Sequence, residues 1–129
     1  MIRLIAKFIA KRQYVFKLEH EAATNEINAK LALQHANEKR AFVEQLNREA
    51  DAIDENIAHE EGTPEYQALA GQEKYEADRE KADAKKIADE KRRAAEEEAK
   101  NVSEGEKLAQ YLRGMAENAR ATTNKIKRL

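Results

Sequence analysis

The chain contains no cysteine among its 129 residues. Disulfide bonds, cysteine nucleophiles and thiolate metal sites are therefore excluded. It also lacks any hydrophobic run close to the roughly 20 residues that span a bilayer. The first residues are apolar, but Lys7 and Lys11 interrupt them, so they do not form the hydrophobic region of a secretory signal. These absences favour a cytoplasmic location, and they leave peripheral attachment to a membrane open.

Proline, glycine and aromatic residues are also scarce. There is one proline, there are four glycines, and aromatic residues make up 5% of the chain. Alanine, by contrast, occurs 24 times, and charged residues make up 38%. This composition predicts long helices or a coiled coil, because large side chains are too few to fill a globular interior. Stability must then come from seams between helices, and we expect a second subunit to contribute, which would make the protein an oligomer.

Residues 2–61 carry the heptad pattern of one long helix. Steps of seven from Phe8 meet only apolar residues, and the series three positions later is apolar apart from Lys11, Asn25 and Lys39. This spacing is typical of the a and d positions of a coiled-coil seam. Alanine is frequent at the a positions, which indicates a close approach of the partner helix. The a series is Phe8, Val15, Ala22, Ala29, Ala36, Val43, Ala50 and Ile57.

The helical pattern is interrupted at Gly62-Thr63-Pro64. Gly62 fits a helix C-cap, Thr63 an N-cap, and Pro64 the first position of a new helix. A short connection between two long helices favours antiparallel neighbours. The predicted fold is therefore all-α, a single long antiparallel coiled-coil hairpin with arm 1 at residues 2–61, the turn at 62–63 and arm 2 at 64–128. Such arms would pair residues whose numbers add up to about 125, which places residues 108–129 opposite residues 2–16.

The second arm leaves alternatives open. Residues 71–100 are mostly charged, so they predict either a solvated helix with Glu–Lys pairs or a thin alanine-lined seam. Ser103 and Glu106 have the spacing of a capping box, which allows a helix break at 101–105, but a continuous helix that is weak at Gly105 fits equally well. Further on, steps of four and three predict one mainly apolar face, formed by Leu108, Leu112, Met115, Ala119, Thr122, Ile126 and Leu129.

No arrangement of catalytic or metal-binding residues stands out. His20, His35 and His59 lie far apart on one predicted helix, and none has the spacing of a zinc or di-iron motif. Carboxylates are abundant, but acid–base catalysis needs them in a dry cleft, which a two-helix hairpin does not offer. The glycines do not form a phosphate-binding loop. We therefore expect a non-enzymatic protein without a cofactor, a metal or a small-molecule substrate.

The two ends of the chain are basic and apolar, whereas the centre is acidic. Residues 1–18 and 119–129 together hold nine lysines and arginines and no acid, and residues 49–66 hold seven acids and no lysine or arginine. On a helical wheel, the apolar residues of 1–18 fill an arc of roughly 160° that only Arg12 breaks, whereas one partner helix covers about 100°. The surplus apolar face predicts a further contact.

The expected function is that of a rod-shaped adaptor or structural subunit that docks through these ends onto a protein partner or an assembly. The alternative is a peripheral membrane protein that residues 1–18 anchor on anionic lipid. End-on association with nucleic acid ranks third, because few aromatic residues are available for base stacking. The predicted partner-binding residues combine apolar anchors with cations that steer association: Arg3, Ile5, Lys7, Phe8, Ile9, Lys11, Phe16, Leu112, Met115, Lys125, Ile126, Lys127 and Arg128.

Overall fold

The structure, a computed structural model, describes residues 1–129 and consists of helices without any strand. Helix α1 spans Ile2–Glu61, α2 is a single turn at Pro64–Gln67, and α3 spans Gly71–Arg128. Helix α1 packs against α3, so the chain is an all-α helical hairpin. The predicted fold class is confirmed.

The connection between the long helices contains more than the predicted turn. The Thr63 hydroxyl caps α2 by accepting a hydrogen bond from the backbone N–H of Tyr66 at 3.3 Å, and it donates one to the carbonyl of Glu60 at 2.7 Å. Residues 68–70 then leave the helical path. Gly71 begins α3 with φ of 63°, a left-handed conformation that favours glycine. The long second helix therefore begins at Gly71, seven residues after Pro64.

The chain divides into two units. The terminal unit comprises Met1–Asn37 and Ser103–Leu129, and the turn unit comprises Glu38–Val102. Each unit contains a segment of α1 and a segment of α3.

The core of the terminal unit is built almost entirely from alanine. On α1, Ala22, Ala29 and Ala36 are at most 2% exposed. On α3 the buried residues also recur every seven positions, and they are Ala109, Ala116 and Thr123. Because the methyl group is the smallest apolar side chain, two alanine rows allow the helix axes to approach closely. The predicted a positions Ala22, Ala29 and Ala36 therefore lie in the seam, whereas Phe8, at 60% exposed, lies outside it and Val15 is half-buried.

The turn unit continues the same spacing and contains more ion pairs. Its buried residues are Leu46 and Ala50 on α1, and Ala88, Ala95 and Val102 on α3. Beside this seam, Lys91 of α3 pairs with Glu49 of α1 at 2.8 Å. Of the two alternatives for residues 71–100, the structure has the thin alanine-lined seam.

The pairing register differs from the prediction. In the terminal unit, the ion pairs Glu19–Lys127 and Glu26–Arg120 join residue numbers that add up to 146, and Gly105 faces Ala36 with a sum of 141, whereas the prediction was about 125. The physical reason is the connection, because α2 and residues 68–70 delay the start of α3. Most of residues 108–129 consequently do not face residues 2–16. Only the end of α3 comes close to the last of these residues, where Lys127 pairs with Glu19 and lies in one groove with Phe16.

Helix α3 passes through residues 101–105 without a break. Val102 is buried there, and Gly105 lies so close to α1 that an added Cβ would come within 3.3 Å of the Ala36 Cβ. The row of α3 residues that is buried in the seam is also shifted by one position from the predicted apolar face. Ala109 and Ala116 are buried, whereas Leu108 and Met115, one position earlier, are about half exposed. Small residues occupy the seam because close helix approach leaves no room for leucine or methionine.

Candidate docking site

The first residues of α1, with Met1 before them, extend past the point where α3 ends, and we call residues 1–11 the N-terminal anchor. Residues 1–10 are all exposed, including Phe8 at 60% and Ile5 at 55%. At 100° per residue, the large apolar side chains of the anchor share an arc of roughly 160° that no charged residue interrupts. These side chains are Met1, Ile2, Leu4, Ile5, Phe8 and Ile9. The anchor is therefore an amphipathic helix whose apolar face is uncovered.

The apolar arc is interrupted where α3 arrives. Arg12 projects from the middle of the arc, and it follows directly after the anchor. A groove of about 410 Å³ opens here, with Phe8 and Arg12 on one side and Lys127 of α3 on the other. The remaining lining residues are Lys11, Val15, Phe16 and Glu19. The anchor thus changes into an ordinary paired helix within about one turn.

Most of the cations around the anchor have no acidic partner. Of the nine lysines and arginines in residues 1–18 and 119–129, only two form an ion pair, Lys127 with Glu19 and Arg120 with Glu26. The first turn of α1 also contains no acid. The cations without a partner are Arg3, Lys7, Lys11, Arg12, Lys17, Lys125 and Arg128. The terminal unit therefore has a concentrated positive charge that the chain does not neutralise.

The acidic centre of the chain behaves differently, because α3 neutralises much of it within the turn unit. Four of the seven acids in residues 49–66 pair with α3. Arg92 contacts Asp51 at 3.0 Å and Asp54 at 2.6 Å. The hydrogen bond from Lys91 lowers the pKa of Glu49, and the hydrogen bonds to Asp51 and Asp54 raise the pKa of Arg92. The terminal unit nevertheless holds 12 lysines and arginines against 6 acids, and the turn unit 12 against 19. The positive excess of the chain therefore lies in the terminal unit, and the turn unit keeps a negative excess.

A polar cluster fastens the turn. The Tyr66 hydroxyl donates to Asp78 at 2.5 Å and accepts from the Lys81 ammonium at 2.6 Å, and Lys81 also contacts Glu61 at 3.1 Å. The same ammonium lies 4.2 Å from the centre of the Tyr66 ring. These contacts lower the pKa of Asp78, chiefly through the Tyr66 hydrogen bond, and raise that of Lys81. Each polar group here has a partner, so the cluster holds α2 in place.

The predicted partner-binding residues fall into three sets. Arg3, Ile5, Lys7, Phe8, Ile9 and Lys11 belong to the anchor. Phe16 lies in the groove beside Lys127, and its ring stacks on that of His20 with centroids 6.5 Å apart. Lys125 and Arg128 are exposed near the end of α3, and Ile126 is half-buried beside the seam.

Leu112 and Met115 do not lie near the anchor. They occupy α3 just before Arg120, which pairs with Glu26, so they lie more than 20 residues along the hairpin from Ile5. At 1.5 Å per residue, that separation is at least about 30 Å. Their expected position opposite residues 2–16 was wrong, because it depended on the shifted register.

Two groups of interacting residues were not anticipated from the sequence. The turn cluster was one, although a tyrosine two positions after a helix-starting proline is a detectable signal. The ladder of Glu19–Lys127 and Glu26–Arg120 was the other. Its signal was present in the sequence, since acids and cations recur every seven residues on the two arms, but the correct register was needed to recognise it.

The structure does not cluster residues that suit a metal ion. No group of three or more histidine and carboxylate side chains is placed to hold one. None of the helices has the length and the hydropathy of a membrane span. The charged groups that the structure does bring together are ion pairs, most of them between α1 and α3.

Comparison of the chain with protein-family models, with curated proteins and with solved structures gave no match.

Proposed function

We propose that this chain is a non-enzymatic docking protein, in which the hairpin is a structural support and the N-terminal anchor attaches it to another structure. The observation that carries the proposal is the position of the anchor. Its large apolar side chains are exposed, and α3 does not extend along them. A hydrophobic face of this width is a typical sign of an interaction site.

The composition of the seam supports the same function. The hairpin places alanine in its interior and leaves many of its larger apolar side chains outside. If the anchor were needed to stabilise the fold, its isoleucines and phenylalanine would be buried. Their exposure is costly in water, at about 25 cal/mol per Å² of apolar surface. Contact with a partner recovers that free energy, so docking gives these residues a role.

Two kinds of surface fit the anchor. A protein or an assembly with an acidic apolar groove would bind one stripe of the helix, as grooves for amphipathic helices do. An anionic membrane would take up the whole apolar face and would attract the neighbouring cations. The seven cations without an acidic partner favour an anionic surface in either case.

The proposal is tested by one charged substitution in the anchor and a matched one elsewhere. Phe8→Glu places a carboxylate in the exposed apolar face, and Phe42→Glu makes the same change at another exposed phenylalanine, in the turn unit. In gradient fractionation of a cell extract, we expect the unmodified chain and Phe42→Glu to migrate with larger complexes or membranes, and Phe8→Glu to migrate as free protein. Equal migration of all three proteins would contradict the docking role.

A further inference from the structure

We infer that the surface on which the N-terminal anchor docks is an anionic lipid bilayer, into whose headgroup region the anchor inserts in the plane of the membrane. This inference rests on the proposed docking function and names its partner. The width of the apolar arc, the distribution of charge around it and the point at which the arc ends all support a membrane surface.

The apolar arc is wider than a protein groove needs. One facing helix covers a stripe of about 100°, whereas the anchor exposes roughly 160° without a charged residue. A bilayer interface surrounds such an arc evenly, because a helix lying in the plane sinks by about 5–10 Å into the boundary between headgroups and acyl chains. All six large side chains of the arc would then leave water together.

The charges lie where lipid phosphates would meet them. Arg3, Lys7 and Lys11 occupy the side of the helix opposite the apolar arc and its edges. Their long apolar stems allow the charged groups to reach the headgroup layer while the arc stays immersed. With Lys125 and Arg128 of α3, the terminal unit offers further exposed cations without acidic partners. Basic residues of this kind bind anionic leaflets and add to the apolar contribution.

The apolar face of the anchor ends at the point beyond which α1 could not insert into a membrane. Arg12 projects from the centre of the arc, and the neighbouring groove contains Lys127 from the end of α3. From there on, α1 is paired with α3, so a membrane could not surround it. Residues 2–11 before this point form a helix about 15 Å long. The uninterrupted apolar face therefore ends at the same point of α1 at which pairing with α3 begins.

A second copy of the chain is a poorer occupant of the same face. Pairing of two anchors would bring together three cations from each, Arg3, Lys7 and Lys11, without a single acid in either anchor. Like charges at such an interface oppose association. A single apolar stripe would also remain exposed on each helix. The charge of the anchor thus complements an anionic surface and opposes its own.

The test uses the purified full-length chain and flotation with vesicles of phosphatidylcholine that contain about 30 mol% phosphatidylserine or none. At about 50 mM NaCl we expect flotation with the anionic vesicles, little with pure phosphatidylcholine, and release at about 500 mM NaCl, where charge is screened. Failure of the chain to float with anionic vesicles at low salt would overturn the inference.

Two charge-matched variants localise the binding. Lys7→Glu with Lys11→Glu changes the anchor, and Lys85→Glu with Lys86→Glu makes the same change in net charge on exposed lysines of the turn unit. Each basic residue near an anionic leaflet contributes roughly fivefold in binding, so the anchor variant should bind about 25-fold more weakly or worse. The turn-unit variant should bind like the unmodified chain. Equal losses in both variants would show a non-specific charge effect and overturn the inference.

The outcomes separate this inference from the docking function itself. If vesicles do not bind the chain, but Phe8→Glu still releases it from large complexes in extracts, the anchor docks on a protein and the lipid inference is wrong. If Phe8→Glu changes neither flotation nor migration in extracts, the docking function is wrong as well. Circular dichroism at 222 nm serves as the control that every variant retains its helices.

Discussion

The close approach of the two helices at Gly105 gives a quantitative prediction. Replacing a glycine inside a helix with alanine stabilises the helix by about 0.8–1.0 kcal/mol. At Gly114 an added Cβ would have no neighbour within 4 Å, so we expect Gly114→Ala to gain this amount in full. For a chain of this size, the gain corresponds to a rise in melting temperature of about 4 °C.

At Gly105 the same substitution meets α1. The new Cβ would lie 3.3 Å from the Ala36 Cβ and 3.6 Å from the Ala32 carbonyl oxygen. Carbon atoms prefer separations of about 3.5–4.0 Å, so the facing helix has to move away by a few tenths of an ångström. Overpacking of this kind costs about 1–3 kcal/mol, which offsets or exceeds the gain in helix propensity. We expect Gly105→Ala to lower the free energy of unfolding by about 1 kcal/mol.

The assay is urea denaturation followed by circular dichroism, with Gly105→Ala and Gly114→Ala measured side by side. Combining Gly105→Ala with Ala36→Gly moves the methyl group from one helix to the other, and this should restore part of the lost stability through a coupling of about 1 kcal/mol. If Gly105→Ala is as stabilising as Gly114→Ala, and no coupling to Ala36 is found, the two residues do not face each other and the described register is refuted.

Three further predictions concern the seam, the ion pairs and the turn. Ala50 is fully buried and Ala52 exposed, so Ala50→Leu should destabilise the hairpin by about 1–3 kcal/mol in thermal unfolding and Ala52→Leu by less than about 0.5 kcal/mol; similar values would place residue 50 outside the seam. The pKa values of Glu49 and Asp78 are lowered in the folded chain. The two ionised carboxylates therefore stabilise the fold at pH values above their ordinary pKa values of 4.5 and 3.8, and this stabilisation is lost as the pH falls through and below those values. The urea midpoint should decrease from about pH 6 to pH 3, and an unchanged midpoint would contradict this prediction. Lys81→Met removes the contacts between Lys81 and Tyr66, so amide hydrogen exchange in residues 64–70 should accelerate while the alanine seam keeps its protection. Unchanged exchange in residues 64–70 would mean that the polar cluster does not hold α2.

The sequence was sufficient to predict the fold class and the interior of α1. The four alanines of the predicted a series, Ala22, Ala29, Ala36 and Ala50, are buried, whereas Phe8 of the same series is exposed. Such a prediction succeeds because a spacing of seven depends only on local helix geometry, which the sequence reports directly. The end of α1 at Glu61 follows equally from local signals, namely Gly62, Thr63 and Pro64.

The register could not be obtained in the same way. It depends on the length of the connection, and Ala68-Leu69-Ala70 has the composition of a helix although these residues are outside one. Tyr66 fixes the length of the connection, because its contacts with Asp78 and Lys81 hold α2 against the first turns of α3. These are tertiary contacts, and a local pattern does not contain them.

The phase of the α3 seam was missed for a related reason. Large apolar residues such as Leu108 and Met115 suggested a buried face, but the facing row on α1 is alanine, and the helices approach until only small residues fit between them. The anchor had been recognised as an amphipathic segment with a surplus apolar face. That its apolar side chains remain uncovered followed only from the register.

The register is therefore the central claim, and a distance measurement tests it most directly. The chain has no cysteine, so spin labels can be attached to introduced cysteines without a background. Glu26→Cys with Arg120→Cys labels two facing positions, and Ile5→Cys with Arg120→Cys labels positions that would face each other if residue numbers summed to about 125. Double electron–electron resonance should give about 20 Å or less for the first pair and, with 21 residues at 1.5 Å of axial offset, about 33 Å for the second. A short distance for the second pair and a long one for the first would place α3 against the anchor and contradict this account.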